Sequence, residues 1–398
     1  MNREDFLILK SGLIYFDNAA TALKPKEVIA KMDEYYHNYP SNIKRGDYDL
    51  SYQATEEYEH TRNLVKELIN ADVIKEIVFT SGATDSLNII ADGYFKNKLN
   101  QNDEVLITKS EHASNVLPWF RLIKTNGIKV KYIPLDENYE VTLENVKKRV
   151  TANTKVISLA QITNVVGDIR PLKEIINYAH SLGILVIVDA AQSIAHKKVN
   201  VKELDADFLV FSAHKMGGPT GIGVLYGKER LLKEIEPINL GGGMNESFTT
   251  DGTYILKDIP TRLEAGTPNI AGVIGLGKTI EYLNKLDINK IDAYITDLKK
   301  YLVSKLEVIP HINIINKTSL SSVLAFNVEG IFSQDVAFYL NKHHICVRAG
   351  NHCAKMLKEE IKIANTVRIS LSFYNTKTEI DKFIDLIKDK SRIEKEMI

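Results

Sequence analysis

A lysine flanked by a hydroxyl, an imidazole and a run of glycines is the grouping in this chain best equipped for chemistry. Ser212-Ala213-His214-Lys215 follows the apolar run Phe208 to Phe211, and a glycine-rich turn leads on to a second apolar run, Ile222 to Tyr226. Open α/β sheets bind ligands beyond the carboxyl ends of their strands, and a lysine held there can condense with an aldehyde. A lysine in a turn is more often a solvated cation, so its neighbours decide. Upstream, Ile184 to Val188 is apolar on both faces, as in a central parallel strand, and exits into Asp189-Ala190-Ala191-Gln192-Ser193. Asp189 by itself could equally cap a helix. A lysine for an aldehyde and an acid for a ring nitrogen are, together, what a protein supplies to pyridoxal phosphate.

A second nucleophile lies far downstream. Cys353 falls in Arg348-Ala349-Gly350-Asn351-His352-Cys353-Ala354, which reads as a polar loop after a strand at Ile345 to Val347. Arg348, His352 and Lys355 make its surroundings electropositive, which favours thiolate. Cys346 sits inside the apolar run, the setting of an inert packed thiol. Arg368 is suited to fork onto a substrate α-carboxylate. Thr80-Ser81-Gly82-Ala83-Thr84 joins a strand to a helix, where free N–H groups suit a phosphate. An ordinary Ser/Thr cap gives the same pattern.

The elements that must position these groups alternate. Strands are predicted at Glu76 to Thr80, Glu104 to Thr108, Lys129 to Pro134, Val156 to Ala160, Ile184 to Val188 and Phe208 to Phe211. Helical stretches are predicted at Lys24 to Tyr36, Ala54 to Asn70 and Asp85 to Lys96, and another from Pro171 to a stop before Gly183, with Asn42 to Ser51 as loop. This alternation argues for a mostly parallel sheet covered by helices. Beyond Gly241 come helices at Ile270 to Asn284 and Ile288 to Lys305. Shorter strands at Ile312 to Ile315, Val323 to Val328, Ile345 to Val347 and Val367 to Leu371 follow, and a last helix sets Ile380, Phe383, Ile384 and Ile387 on one face.

Bulk properties narrow the function. The 398 residues suffice for two domains, and 44% hydrophobic with 26% charged residues is ordinary for a globular protein. Lys+Arg and Asp+Glu both total 51, which argues against a nucleic-acid-binding or membrane-surface protein. The opening MNREDFLILKSG has too short an apolar core for a signal peptide, and no run approaches a membrane span. Two cysteines build no disulfide framework, so a cytoplasmic location is expected.

The stretches SAHK and GGPTGIGVLYG, with VDAAQS upstream, resemble the aminotransferase class V family of pyridoxal-phosphate enzymes, and more narrowly its Suf-type cysteine desulfurases. The resemblance runs from Tyr15-Phe16-Asp17-Asn18-Ala19-Ala20-Thr21 to Tyr374-Asn375-Thr376. It implies fold type I, the aspartate aminotransferase-like fold. Residues 1–23 would be an arm on the small domain, 24–260 a large cofactor-binding domain, and 261–398 a small α+β domain with the cysteine loop. It implies that Lys215 and Asp189 serve the cofactor and that Thr84, Ser212 and His214 hold its phosphate, with Thr267 of a second subunit making the site a homodimer property. By the same match His112 lies over the ring, Gln192 bonds the ring hydroxyl, and Asn164 stands near the ring and the substrate carboxylate. Arg368, with Arg348 nearby, completes the substrate site.

The activity implied is conversion of L-cysteine to L-alanine, with a persulfide on Cys353 passed to a sulfur-acceptor protein of the Suf type. A selenocysteine lyase or another β-eliminating relative is the nearest alternative, and an idle scaffold on the same fold is the non-enzyme one. A dinucleotide-binding oxidoreductase fails on context, because the glycines here precede a strand rather than a helix. Lys44, Asn351 and Met216-Gly217 depart from the usual family pattern.

Overall fold

The computed structural model describes residues 3–397. In chain order its first strands are β1 (Ile14–Tyr15), β2 (Ile77–Thr80), β3 (Glu104–Ile107), β4 (Lys129–Tyr132), β5 (Thr154–Ala160), β6 (Leu185–Asp189), β7 (Phe208–Ser212) and β8 (Gly223–Gly227). All but β1 join one seven-stranded sheet, ordered β2-β8-β7-β6-β5-β3-β4. Pairing is parallel from β4 through β3, β5 and β6 to β7, and β8 alone runs against both its neighbours. Every residue of β2, β3, β7 and β8 is buried, which is why these strands read as unbroken apolar runs rather than as alternation. At the sheet edge β4 is half-buried, and its sequence KVKY alternates accordingly.

The parallel direction has one functional consequence. The carboxyl ends of β3, β5, β6 and β7 lie along the same side of the sheet, so the segments that leave them, bearing His112, Asn164, Asp189 and Lys215, start side by side.

A short hairpin follows, β9 (Asn245–Phe248) and β10 (Tyr254–Leu256), and then a second sheet and its connections. These are β11 (Ile312–Ile315), β12 (Val323–Val328), β13 (Ile345–Cys346), β14 (Arg348–Gly350) and β15 (Thr366–Ser370). The second sheet is antiparallel, ordered β11-β12-β15-β14. The N-terminal segment is stitched to this region. Strand β1 pairs parallel with β13, Asp17 bridges Ser370, and Phe16 sets its ring edge-on to Phe383. Helix Ile270–Leu286 packs on the helices Lys26–Asn38 and Asp49–Ile69, whereas Ile288–Leu306 packs on Lys377–Ile387. That last helix begins in a capping box, in which Thr376 accepts the Glu379 N–H and Glu379 accepts the Thr376 N–H. Of the predicted stripe, Ile380, Phe383 and Ile387 are buried and Ile384 is half-buried.

Three local readings need correction. Arg348 is not in a loop: Arg348–Gly350 is a strand paired with β15. The helix read from Ala54 starts at Asp49, inside the stretch read as loop. The predicted helix from Asp85 to Lys96 is α-helical only over Ala83–Asn88 and widens to a π-helix over Ile89–Phe95. Most other predicted ends shift by one or two residues, as helix and strand ends do. Among the described residues no helix is long and apolar enough to cross a membrane.

Candidate active site

One cavity collects most of the residues singled out by the sequence. It is lined by Thr84, His112, Asn164, Asp189, Ser212, His214, Lys215, Arg348, Cys353 and Arg368, together with Ala19, Ala20, Ala83, Ala191, Ser114 and His352. Its walls come from the ends of the first sheet on one side and from β14, β15 and the loop between them on the other. The lysine and the cysteine, 138 positions apart in the chain, thus share one space. Two predicted residues stand apart. Gln192 is buried beside the cavity, where its amide donates to the Ala19 carbonyl at 3.0 Å. Thr267 takes no part in this chain's cavity, and its hydroxyl accepts from Asn42 Nδ2 at 3.3 Å. A roomier cleft, lined by Tyr58, Phe79, Ile222, Leu263 and Glu264 among others, holds neither lysine nor cysteine.

At the sheet end, Asp189 pairs in register with Ala160 and Val210 and accepts the Ala191 N–H at 2.9 Å. Burial pushes its carboxyl upward, and Lys215 opposes that shift. Burial likewise lowers the Lys215 amine, against the pull of Asp189 and with help from Arg368 and Arg348. A lowered amine is more often unprotonated and therefore nucleophilic. Burial, and then the Lys215 charge, bring His112 down to about 4. Ser114 donates its N–H to His112 Nδ1 at 3.2 Å, so the neutral ring carries its proton on Nε2. Ser114 also meets Thr84, hydroxyl to hydroxyl, at 2.6 Å, and Ser212 Oγ accepts the Ala83 N–H at 2.8 Å.

The opposite wall is built from β14 and β15. Arg348 and Arg368 are directly opposed in the ladder, a like-charge pairing that disfavours the fold unless an anion sits between them. Asp17 supplies part of that charge, at 2.8 Å from Arg368. Arg368 also donates to the Asn164 carbonyl at 3.0 Å, yet its buried Nε has no partner, and neither does the buried Oδ1 of Asn164.

Cys353 is exposed at the cavity mouth, and its backbone is strained. His352 and Cys353 both adopt left-handed φ, +51° and +61°, which costs on the order of 1–3 kcal/mol for each such residue. Three hydrogen bonds hold this geometry: Asn164 Nδ2 to the His352 carbonyl at 2.7 Å, Ala113 N–H to the Cys353 carbonyl at 2.8 Å, and Cys353 N–H to Asn351 Oδ1 at 3.2 Å. His352 is buried and brought down to about 3, first by burial and then by Arg368. Its Nε2 faces the Thr366 carbonyl at 3.1 Å, which can only accept, so Nε2 is the protonated nitrogen.

Sequence reasoning left three members of the site without a role. Ser114 lies two residues from His112, in a stretch singled out only for its histidine. Asp17 lies in the N-terminal match but is tied to Arg368 across 351 positions. His352 was read only as part of an electropositive loop, and its hydrogen bonds make it a strut instead.

The donor set fits pyridoxal phosphate. An amine of lowered basicity just beyond one strand and a buried carboxylate at the end of its parallel neighbour stand together, with hydroxyls and an imidazole around the start of the helix at Ala83. The unpartnered Arg368 Nε and Asn164 Oδ1 fit a carboxylate and an amine brought by a substrate.

Comparison with known proteins agrees. A probable cysteine desulfurase of Halalkalibacterium halodurans is 40% identical over 372 residues, covering 93% of this chain and 91% of that protein. One from Vibrio cholerae is 39% identical, covering 94% and 93%. Among solved structures, the apo cysteine desulfurase of Thermococcus onnurineus superposes with a TM-score of 0.93 at 39% identity, covering 97% of this chain and 96% of that one. The cysteine desulfurase CsdA of Escherichia coli also gives 0.93, at 35% identity and covering 100% and 98%. Residues 14–383 match the family described as aminotransferase class-V, with its fold type I architecture and mostly parallel sheet, and the chain belongs to that family.

Proposed function

We propose that this protein is a pyridoxal-phosphate-dependent cysteine desulfurase that converts L-cysteine to L-alanine and collects the sulfur as a persulfide on Cys353. The observation that carries the reading is that Lys215, Asp189, Arg368 and Cys353 line a single cavity. The relatives' names support it. Lys215 would hold the cofactor aldehyde and Asp189 its ring nitrogen. Thr84, Ser212 and His214, with the partner subunit's Thr267, would hold the phosphate, His112 would stack on the ring and Gln192 would bond its hydroxyl. When bound, the cofactor supplies an electron sink that labilises bonds at the substrate's Cα and Cβ.

The chain's own groups do the rest. Arg368 anchors the substrate carboxylate with Arg348 beside it, and Asn164, next to that carboxylate, turns its free Oδ1 to the substrate amine. The Lys215 amine, whose basicity burial lowers, takes the proton from Cα and returns protons later. The Cys353 thiolate donates an electron pair to the substrate sulfur. An S–S bond forms, the C–S bond breaks with its electron pair left on carbon, and protonation of that carbon gives alanine.

We assign residues 1–23, 24–260 and 261–398 to the arm, the large domain and the small domain. The protein works as a cytoplasmic homodimer. Exposure of Cys353 suits delivery to a docking acceptor of the Suf type, for iron–sulfur cluster or related biosynthesis. The test is to incubate the purified yellow protein with L-cysteine, with and without acceptor proteins, and to measure alanine and the Cys353 adduct. Equal amounts of alanine and persulfide support the reading. Alanine absent, or sulfur lost with no adduct on Cys353, sinks it.

A further inference from the structure

Glu111 immediately precedes His112, and Asp168 and Arg170 close the loop that carries Asn164. These three charges meet in one cluster, and their side chains are almost wholly removed from solvent. None of them lines the cavity.

The guanidinium of Arg170 is fully used. Its Nε donates to Asp168 Oδ2 at 3.2 Å, one terminal nitrogen donates to Glu111 Oε1 and to the Ala160 carbonyl, and the other donates to Thr108 Oγ1 and Ser110 Oγ, both at 2.9 Å. Each of its five N–H groups therefore has a partner. Glu111 in turn accepts Asn115 Nδ2 at 2.8 Å and the Ala160 N–H at 3.0 Å. On the other side, the base of the loop is closed by Arg170 N–H to the Gln161 carbonyl at 3.1 Å and by Thr163 N–H to the Asp168 carbonyl at 3.1 Å. At the tip, Gly167 takes φ +73°, and a Cβ there would come within 2.3 Å of Ser321 Oγ. The tip is therefore as constrained as the base.

We infer that Arg170 is a positioning residue: it fixes against each other the loop whose His112 faces the cavity and the loop whose Asn164 holds both the Cys353 loop and Arg368. The inference deepens the desulfurase reading and rests on it. A merely structural buried ion pair would set stability alone. A clamp between two site loops sets where the imidazole stands relative to the groups that hold the substrate carboxylate and the thiol. Lysine cannot substitute, because it offers one nitrogen where the site needs a planar fork of five donors.

The test uses the holoenzyme. Arg170→Lys keeps the charge that balances Glu111 and Asp168, and it is expected to fold. Its kcat for alanine formation should fall about 10–100-fold, the scale of a small misplacement of site groups, and its visible cofactor band should shift. Asp168→Asn loosens only the Asn164 side, and should raise the KM for L-cysteine while leaving the band in place. Glu111→Gln loosens chiefly the His112 side, and should move the band and kcat with little change in KM. A folded Arg170→Lys protein with parental kcat, KM and band overturns the inference. Where Arg170→Lys does not fold, the two carboxylate variants decide: the split between KM and band supports the clamp, and lowered Tm with unchanged kinetics and spectrum in both overturns it. A parent enzyme that makes no alanine would refute the desulfurase reading instead, and the band shift would still report on Arg170.

Discussion

The two nucleophiles of this site are held in opposite ways. Lys215 follows β7, a strand buried along its whole length, and burial dominates its environment, with Asp189 on the adjacent strand opposing the shift and Arg368 and Arg348 across the cavity adding to it. Cys353 is exposed, follows an edge strand of the second sheet, and owes its position to a strained backbone held by hydrogen bonds from residues of the first. The first group is tuned by burial, the second by tethering. Burial suits an amine whose basicity is lowered and which is hidden from water. Tethering suits a thiol that must meet a substrate inside the cavity and then surrender sulfur to a partner outside it.

Removing each nucleophile is the harshest test of this contrast. On the proposed reading Lys215→Ala takes away both the cofactor's anchor and the base at Cα, so alanine formation should fall by more than the ~10²–10⁴-fold that general acid–base catalysis alone supplies. Near-normal turnover in that variant would end the assignment. Cys353→Ala should leave the visible absorbance of the bound cofactor intact, because the thiol belongs to the other wall, and should abolish persulfide labelling. A changed spectrum would mean that the thiol itself helps to hold the cofactor.

How far the sequence carried differs between the same two regions. The lysine wall was legible because β6 and β7 are buried on both faces and end in polar residues, a pattern local in the chain. The order of the strands and the reversed β8 were not, since pairing is settled between distant segments. At the cysteine wall, Arg348–Gly350 is short, partly exposed and at a sheet edge, so nothing in its composition marks it as a strand. The hairpin formed by β9 and β10 went unread for the same reason, with Phe248, Tyr254 and Ile255 all exposed. The tie from Asn164 to His352 spans 188 positions and leaves no trace in local sequence.

A milder change sharpens the contrast within the second wall. Arg368→Lys keeps a cation but loses the fork that pairs with a carboxylate and the simultaneous reach to Asp17 and the Asn164 carbonyl. Hydrogen bonds to charged groups contribute roughly 1.5–3 kcal/mol, so the KM for L-cysteine should rise about 10–100-fold. The cofactor spectrum should stay parental. An unchanged KM would show that the carboxylate is held elsewhere, with Arg348 as the next residue to vary.

The smallest expected effect concerns the strut itself. His352 titrates at about 3 in the folded protein, below the ~6.5 of an unfolded histidine, because it is buried and faces Arg368. Below pH 6.5 the unfolded chain therefore binds a proton at this position that the folded chain does not. The stability His352 contributes is complete above pH 6.5 and is lost as the pH falls toward 3, with a slope of at most ~1.4 kcal/mol per pH unit. His352→Gln retains an amide donor for the Thr366 carbonyl and removes the titration. Denaturant midpoints measured between pH 7 and 4 should fall less steeply for the variant than for the parent, and Cys353 should react with an alkylating reagent at a similar rate in both at pH 7. Parallel stability curves would show that the imidazole gains access to water or a counter-charge, and that the tether at Cys353 does not depend on a neutral, buried ring.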